Sequence, residues 1–192
     1  MNETDNIDLM WTLESHGWST ITLFIDDKIH RFEISHCFGD PLSELIQITI
    51  NLIDKSTQEV ACWYSEPGGH RWSFSRDPEN QHKINIEIEE ILDEVYEEIK
   101  NTETVLKFTI KESQLVQLFM TQMDKIFELL KDKQYAKDRQ SDFPFDLYKK
   151  LKNNTITHKT WHLTFLLFLG NLPMLLKTDQ KTSSLSQSVY LI

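Results

Sequence analysis

The 192-residue chain sets 30 acidic against 20 basic side chains, a formal charge of −10. A phosphate backbone is repelled by such a surface, which argues against nucleic-acid binding. Two cysteines exclude a disulfide-stapled scaffold, and a 40% hydrophobic content is enough to bury a core.

Met1–Asp5 shows neither a basic nor an apolar stretch of the kind a signal peptide carries, and a cytoplasmic setting is expected. Residues 8–36 read as three strands. Trp11 and Leu13 alternate with polar neighbours, as do Ile21, Leu23 and Ile25, and then Phe32 and Ile34. Gly17 and Asp26-Asp27 supply the turns, so the strands should form antiparallel hairpins. Residues 40–54 carry helix signals: Asp40 as cap, Pro41 in the first position, Glu44 in the first turn. Leu42, Leu45, Ile46, Thr49, Leu52 and Ile53 make its apolar stripe.

Residues 58–76 read as a hairpin broken at Pro67-Gly68-Gly69, and Ile84, Ile86 and Ile88 mark a further strand. That strand runs into an acidic loop or short helix, and alternation returns over 104–110. A long helix is predicted over 112–136, with Leu115, Leu118, Phe119, Gln122, Ile126, Leu129 and Leu130 inward. A short helix through Leu147, Tyr148 and Leu151 follows Phe143-Pro144-Phe145. The expected fold is α+β: a mainly antiparallel sheet of six to seven strands, with two main helices on one face.

Residues 1–153 are expected to form one domain, and 154–192 a tail of different character. The stretch 153–192 has a balance of +2, from Lys159, Lys177 and Lys181 against Asp179; with −12 before it, this makes up the −10. Within the tail, Trp161–Leu176 is almost uncharged and apolar, yet shorter than the roughly 20 residues a spanning helix needs, and Gly170 and Pro173 interrupt it. Three readings stay open for it: a core or partner-docking segment, a membrane-seeking tail, or a non-native end.

No nucleotide-binding, metalloprotease or nucleophile-elbow motif is present, so no catalytic residue and no cofactor is assigned. His36, Cys37, Cys62 and His70 are metal-ligating types, but neighbours in a strand point to opposite faces, and no metal site is expected. The acids Glu87, Glu89, Glu90, Asp93, Glu94, Glu97 and Glu98 occur with no base among them. A solvated run of this kind does not separate the pKa values that acid–base catalysis needs. It reads as a solvated face, and in a functional role as a docking surface for a basic partner, with Glu90, Glu94 and Glu97 as the binding candidates. The turn ending in His70, Arg71 and Trp72 is the second candidate, because loops between rigid strands carry function and Arg and Trp anchor interfaces.

Gly17-Trp18, Gly39-Asp40-Pro41-Leu42, Glu66-Pro67-Gly68 before Arg71-Trp72, and Phe143-Pro144 with Tyr148 resemble a group of small uncharacterised bacterial proteins over roughly residues 9–152. The resemblance implies a shared fold and no activity. The expected function is a protein-binding module of the toxin-immunity type, with another, basic protein as partner. The alternative is a small-ligand protein or enzyme with a pocket between sheet and helices, tested first at His36 and His70.

Overall fold

The computed structural model describes residues 2–93, 98–139 and 143–155. Alternation and tight turns produce the first sheet. Strands β2 (Ile7–Leu13), β3 (Trp18–Ile25) and β4 (Lys28–Ser35) follow β1 (Asn2–Glu3) and pair antiparallel in chain order. Asp26 and Asp27 both have positive φ, 46° and 65°, the backbone of the turn class whose twist matches a two-residue hairpin.

Helix α1 (Pro41–Ile53) begins where the sequence places it. The Asp40 carboxylate accepts the Ser43 N–H at 3.0 Å, and Pro41 fills a position that needs no donor. It is buried almost all round, Ile48 and Ile50 included, because it packs along one strand and against a second helix. The Thr49 hydroxyl, which would otherwise be a buried orphan, donates to the Leu45 carbonyl at 2.7 Å.

The second sheet has the order β1-β8-β7-β6-β5. Its strands are β5 (Gln58–Tyr64), β6 (Gly69–Arg76), β7 (Lys83–Ile91) and β8 (Thr102–Lys111). They form an antiparallel meander, and β1 adds in parallel, Asn2 opposite Phe108. The strands thus divide between two sheets instead of forming one. The physical reason is the α1 insertion between β4 and β5, which prevents those neighbours from closing a hairpin.

Helix α2 (Glu112–Leu130) is shorter than the pattern over 112–136 predicts. The Asp132 carboxylate accepts the N–H groups of Gln134 and Tyr135, capping a separate short helix α3 (Lys133–Ala136) and ending the longer one. The buried stripe of α2 is also rotated: Met120 and Met123 are inward, while Leu129 is exposed. Helix α4, residues 145–155, buries Tyr148 and Leu151. Its Tyr148 hydroxyl and Lys152 ammonium both donate to Asp124 of α2. Among the described residues no helix is long and apolar enough to cross a membrane.

The core is aromatic. Trp63 lies 5.4 Å from Trp11 and 5.3 Å from Trp72, Phe32 lies 5.1 Å from Trp72, and Phe74 meets Phe119 of α2 at 6.1 Å. These offset and edge-on contacts join both sheets to the helix layer. Two polar devices finish the frame. Gln122 of α2 accepts the Trp11 N–H at 3.0 Å and Lys125 donates to the Trp11 carbonyl, closing the outer edge of β2. Arg76, buried at the end of β6, donates to the carbonyls of Leu52, Ser56 and Gln81 and pairs with Glu112 at the start of α2.

Candidate functional site

The two segments singled out in the sequence, 66–72 and 87–98, are joined in their described parts through the pairing of β6 and β7. Gly69 lies opposite Ile91, His70 opposite Glu90, Arg71 opposite Glu89 and Trp72 opposite Ile88. The turn between β5 and β6 therefore sits at the same end of the sheet as the acidic end of β7. That turn is tight: the Glu66–Pro67 peptide is cis, Gly68 has φ +80°, and Ser65 N–H donates to the Gly68 carbonyl at 3.0 Å. A Cβ on Gly69 would fall 2.6 Å from the Trp63 carbonyl oxygen, so only glycine lets the two strands approach this closely.

The pleat then separates the candidates. Trp72 faces inward at 1% exposure and belongs to the core, so it touches no partner. His70, on the same face, is half-buried with its ring 4.9 Å from Phe32. Its Nδ1 has no hydrogen-bond partner among the described residues. Burial pushes its pKa below the ordinary histidine value, with Glu90 pulling the other way. Arg71 faces the opposite side and is committed to Glu89 through two bonds of 2.8 and 3.0 Å. Partial burial would raise the Glu89 pKa; hydrogen bonds from Thr102 and Arg71 outweigh it and hold the carboxyl below its usual range.

Glu90 is exposed, and its neighbour across the other strand boundary is the exposed Glu103. Like charges directly opposite one another destabilise a sheet. Among the described residues no cation forms an ion pair with either. Apolar side chains stand beside them. Leu92 is 57% exposed, and Val105, 41% exposed, is the extra residue where the register shifts between Ile88 and Glu89. Asp93 ties off the loop by accepting the N–H groups of Lys100 and Asn101 at 2.6 and 2.7 Å. Those main-chain bonds, that of Asn101 foremost, hold its carboxyl below the usual range. Glu94 and Glu97 lie outside the described residues. Glu103, Leu92 and Val105 were not singled out in the sequence. The β7–β8 register brings Glu103 to Glu90, with Val105 at the register shift nearby, and a strand beginning at Thr104 leaves Glu103 in a loop.

The metal-ligating types are dispersed. His36 Nε2 lies 3.0 Å from the Ser19 hydroxyl, and burial lowers its pKa. Cys37 is exposed in a short 3-10 turn, His36–Phe38. Cys62 lies on the outer face of β5 opposite Arg71, its thiol pKa raised by burial. Among the described residues no group of three or more His, Cys, Asp or Glu could hold a metal ion. A recess of about 10 Å³ lies between α1 and β5, beside Glu44, Cys62 and Trp63. It has room for about one water, and neither His36 nor His70 lines it.

Among the residues behind the resemblance, Gly17, Asp40 and Glu66–Gly68 serve the backbone: Gly17 takes φ +77°, Asp40 caps α1, and Glu66–Gly68 make the cis turn. The site thus offers carboxylates and exposed apolar groups at one end of a rigid sheet. No family model, no curated protein and no solved structure matches this chain.

Proposed function

We propose that the domain is a protein-binding module of the toxin-immunity type, and that it docks a basic partner on the acidic end of the five-stranded sheet. The observation that carries this reading is the Glu90–Glu103 pair, two exposed carboxylates opposite each other beside exposed Leu92 and Val105. A cationic group placed between them removes a repulsion that the free domain bears, so binding gains more than a contact alone supplies. Apolar neighbours give the surface the mixed character of an interface core and rim. Glu94 and Glu97 follow in the same acidic stretch of the sequence and stay candidates on that ground alone. His70 borders the surface as the cross-strand neighbour of Glu90, while Arg71 holds Glu89 on the opposite face of the sheet. A cytoplasmic setting accords with the two free thiols, Cys37 and Cys62.

The test is capture of partners by the tagged full-length chain from host cells, beside the Glu90→Lys/Glu103→Lys variant. A stoichiometric, basic, salt-sensitive partner is expected, with affinity reduced roughly tenfold or more in the variant. A partner held equally well by both proteins, or none with either, refutes the assignment.

A further inference from the structure

The outer face of the three-stranded sheet is a second surface, built independently of the acidic sheet end. Alternation turns Leu9, Trp11 and Leu13 into the core, so their neighbours face outward. An outward face of a half-buried sheet is ordinarily polar, yet Met10, Phe24 and Ile29 are exposed there at 44%, 37% and 60%. Register makes them one patch. Phe24 lies directly opposite Ile29 on one side and Asp8 on the other, and Met10, opposite Thr22, is one pleat away.

The patch runs into a concavity of about 360 Å³, bordered by Asp5, Asp8, Asp26, Asp27, Phe24 and Ile29. Lys28 is the one cation in its lining. Asp5 pairs with Lys111 at 2.9 Å, while Asp8, Asp26 and Asp27 form no salt bridge among the described residues. The carboxylates are placed by the fold. The Asp26–Asp27 turn is set by the β3–β4 hairpin, and the Thr4 hydroxyl orients Asp26 at 2.7 Å.

We propose that this groove docks a segment of another protein that carries an apolar side chain next to a lysine or arginine. The apolar side chain lies on Phe24 and Ile29, and the cation reaches the carboxylates of Asp8, Asp26 and Asp27. Charge decides among the occupants an exposed apolar face could have. A second copy would bring the same carboxylates together, and an anionic membrane surface would be repelled by them. A cationic, partly apolar segment satisfies both halves of the groove.

The probe is a short alternating arginine–leucine peptide titrated into isotope-labelled full-length protein, with its glutamate–leucine counterpart as control. The expected result is a salt-sensitive shift of the Phe24, Asp27 and Ile29 amide resonances with the basic peptide alone. Asp8→Asn/Asp27→Asn should weaken it roughly tenfold. Asparagine tolerates the positive φ at residue 27, and unchanged core resonances report an intact fold. Phe24→Thr, which keeps strand preference, carries the test if the double variant does not fold. Shifts at those amides that survive both variants overturn the proposal, as does equal binding of the acidic peptide. So do shifts confined to Glu90 and Glu103, which would support only the sheet-end surface. Self-association abolished by Phe24→Thr in sedimentation would assign the face to a second copy instead.

Discussion

Replacing Arg76 by methionine should destabilise the domain by about 3–5 kcal/mol, the range for removing one partner of a buried ion pair. The side chain is 2% exposed and that of its partner Glu112 is 15% exposed. The carbonyl oxygens of Leu52, Ser56 and Gln81 each lose a donor, although Leu52 keeps the Lys55 N–H and Gln81 is exposed, so the loss at the Glu112 carboxylate dominates the cost. Lys55 still reaches Glu112 at 2.7 Å, so the carboxylate is not left alone, which keeps the loss within that range. Glu112→Gln alone should also destabilise, because it leaves a guanidinium in the core without its counter-charge. The double variant should lose less than the sum of the two, since each single change strands the other partner. Urea unfolding of the full chain measures all three, with Arg71→Met as comparison. The Arg71–Glu89 pair is more open to solvent, Arg71 being 32% exposed, and its loss should cost no more than about 1 kcal/mol. If Arg76→Met falls within about 1 kcal/mol of wild type, or the two changes are additive, the buried clamp is not what fastens β6 to both helices.

The other expectations concern pH, the β2 edge, the tight turn and the acidic pair. His36 and His70 both titrate below 6.5 in the folded chain and near it when unfolded. Below about pH 6.5 the unfolded state holds more protons, so stability should fall with decreasing pH, by up to about 1.4 kcal/mol per pH unit per histidine until the folded pKa is passed. His70→Gln should flatten that slope in denaturation curves taken across the window, and an unchanged slope would refute its assignment. Gln122→Leu should cost about 1–3 kcal/mol in urea unfolding by leaving the Trp11 N–H without its acceptor. Gly69→Ala should lower thermal stability by about 1–3 kcal/mol, since its Cβ meets main chain that cannot move aside cheaply. Glu103→Lys should stabilise the free domain by about 0.2–1 kcal/mol while weakening capture of a basic partner. A gain in stability without loss of binding would make the acidic pair a merely solvated face.

What was legible in the sequence was local. Asp40, Pro41 and Glu44 announce α1 within one turn of chain, and the alternation of Ile84, Ile86 and Ile88 announces β7, because capping and pleat are settled by neighbouring residues. The division into two sheets was not legible. Alternation says which way a side chain points, and nothing about which strand lies beside it. For the same reason the turn at 66–69 and the acidic end of β7 read as separate features, although the β6–β7 register puts Glu89 and Glu90 beside it. Trp72 shows the limit from the other side. Tryptophan suits an interface and a core equally, and only its position on the inward face at 1% exposure decides between them. Gln122 belonged to the inward stripe by spacing alone; the β2 donor it accepts from, the main-chain N–H of Trp11, is 111 positions away along the chain.

That separation bears on how the protein is made. The β2 strand leaves the ribosome 111 residues ahead of the glutamine that closes its edge. At roughly 5–20 residues per second, Trp11 waits about 5–20 s for the glutamine that accepts its main-chain N–H. During translation the β2 edge is a template on which another nascent strand can add, until α2 arrives and seals it.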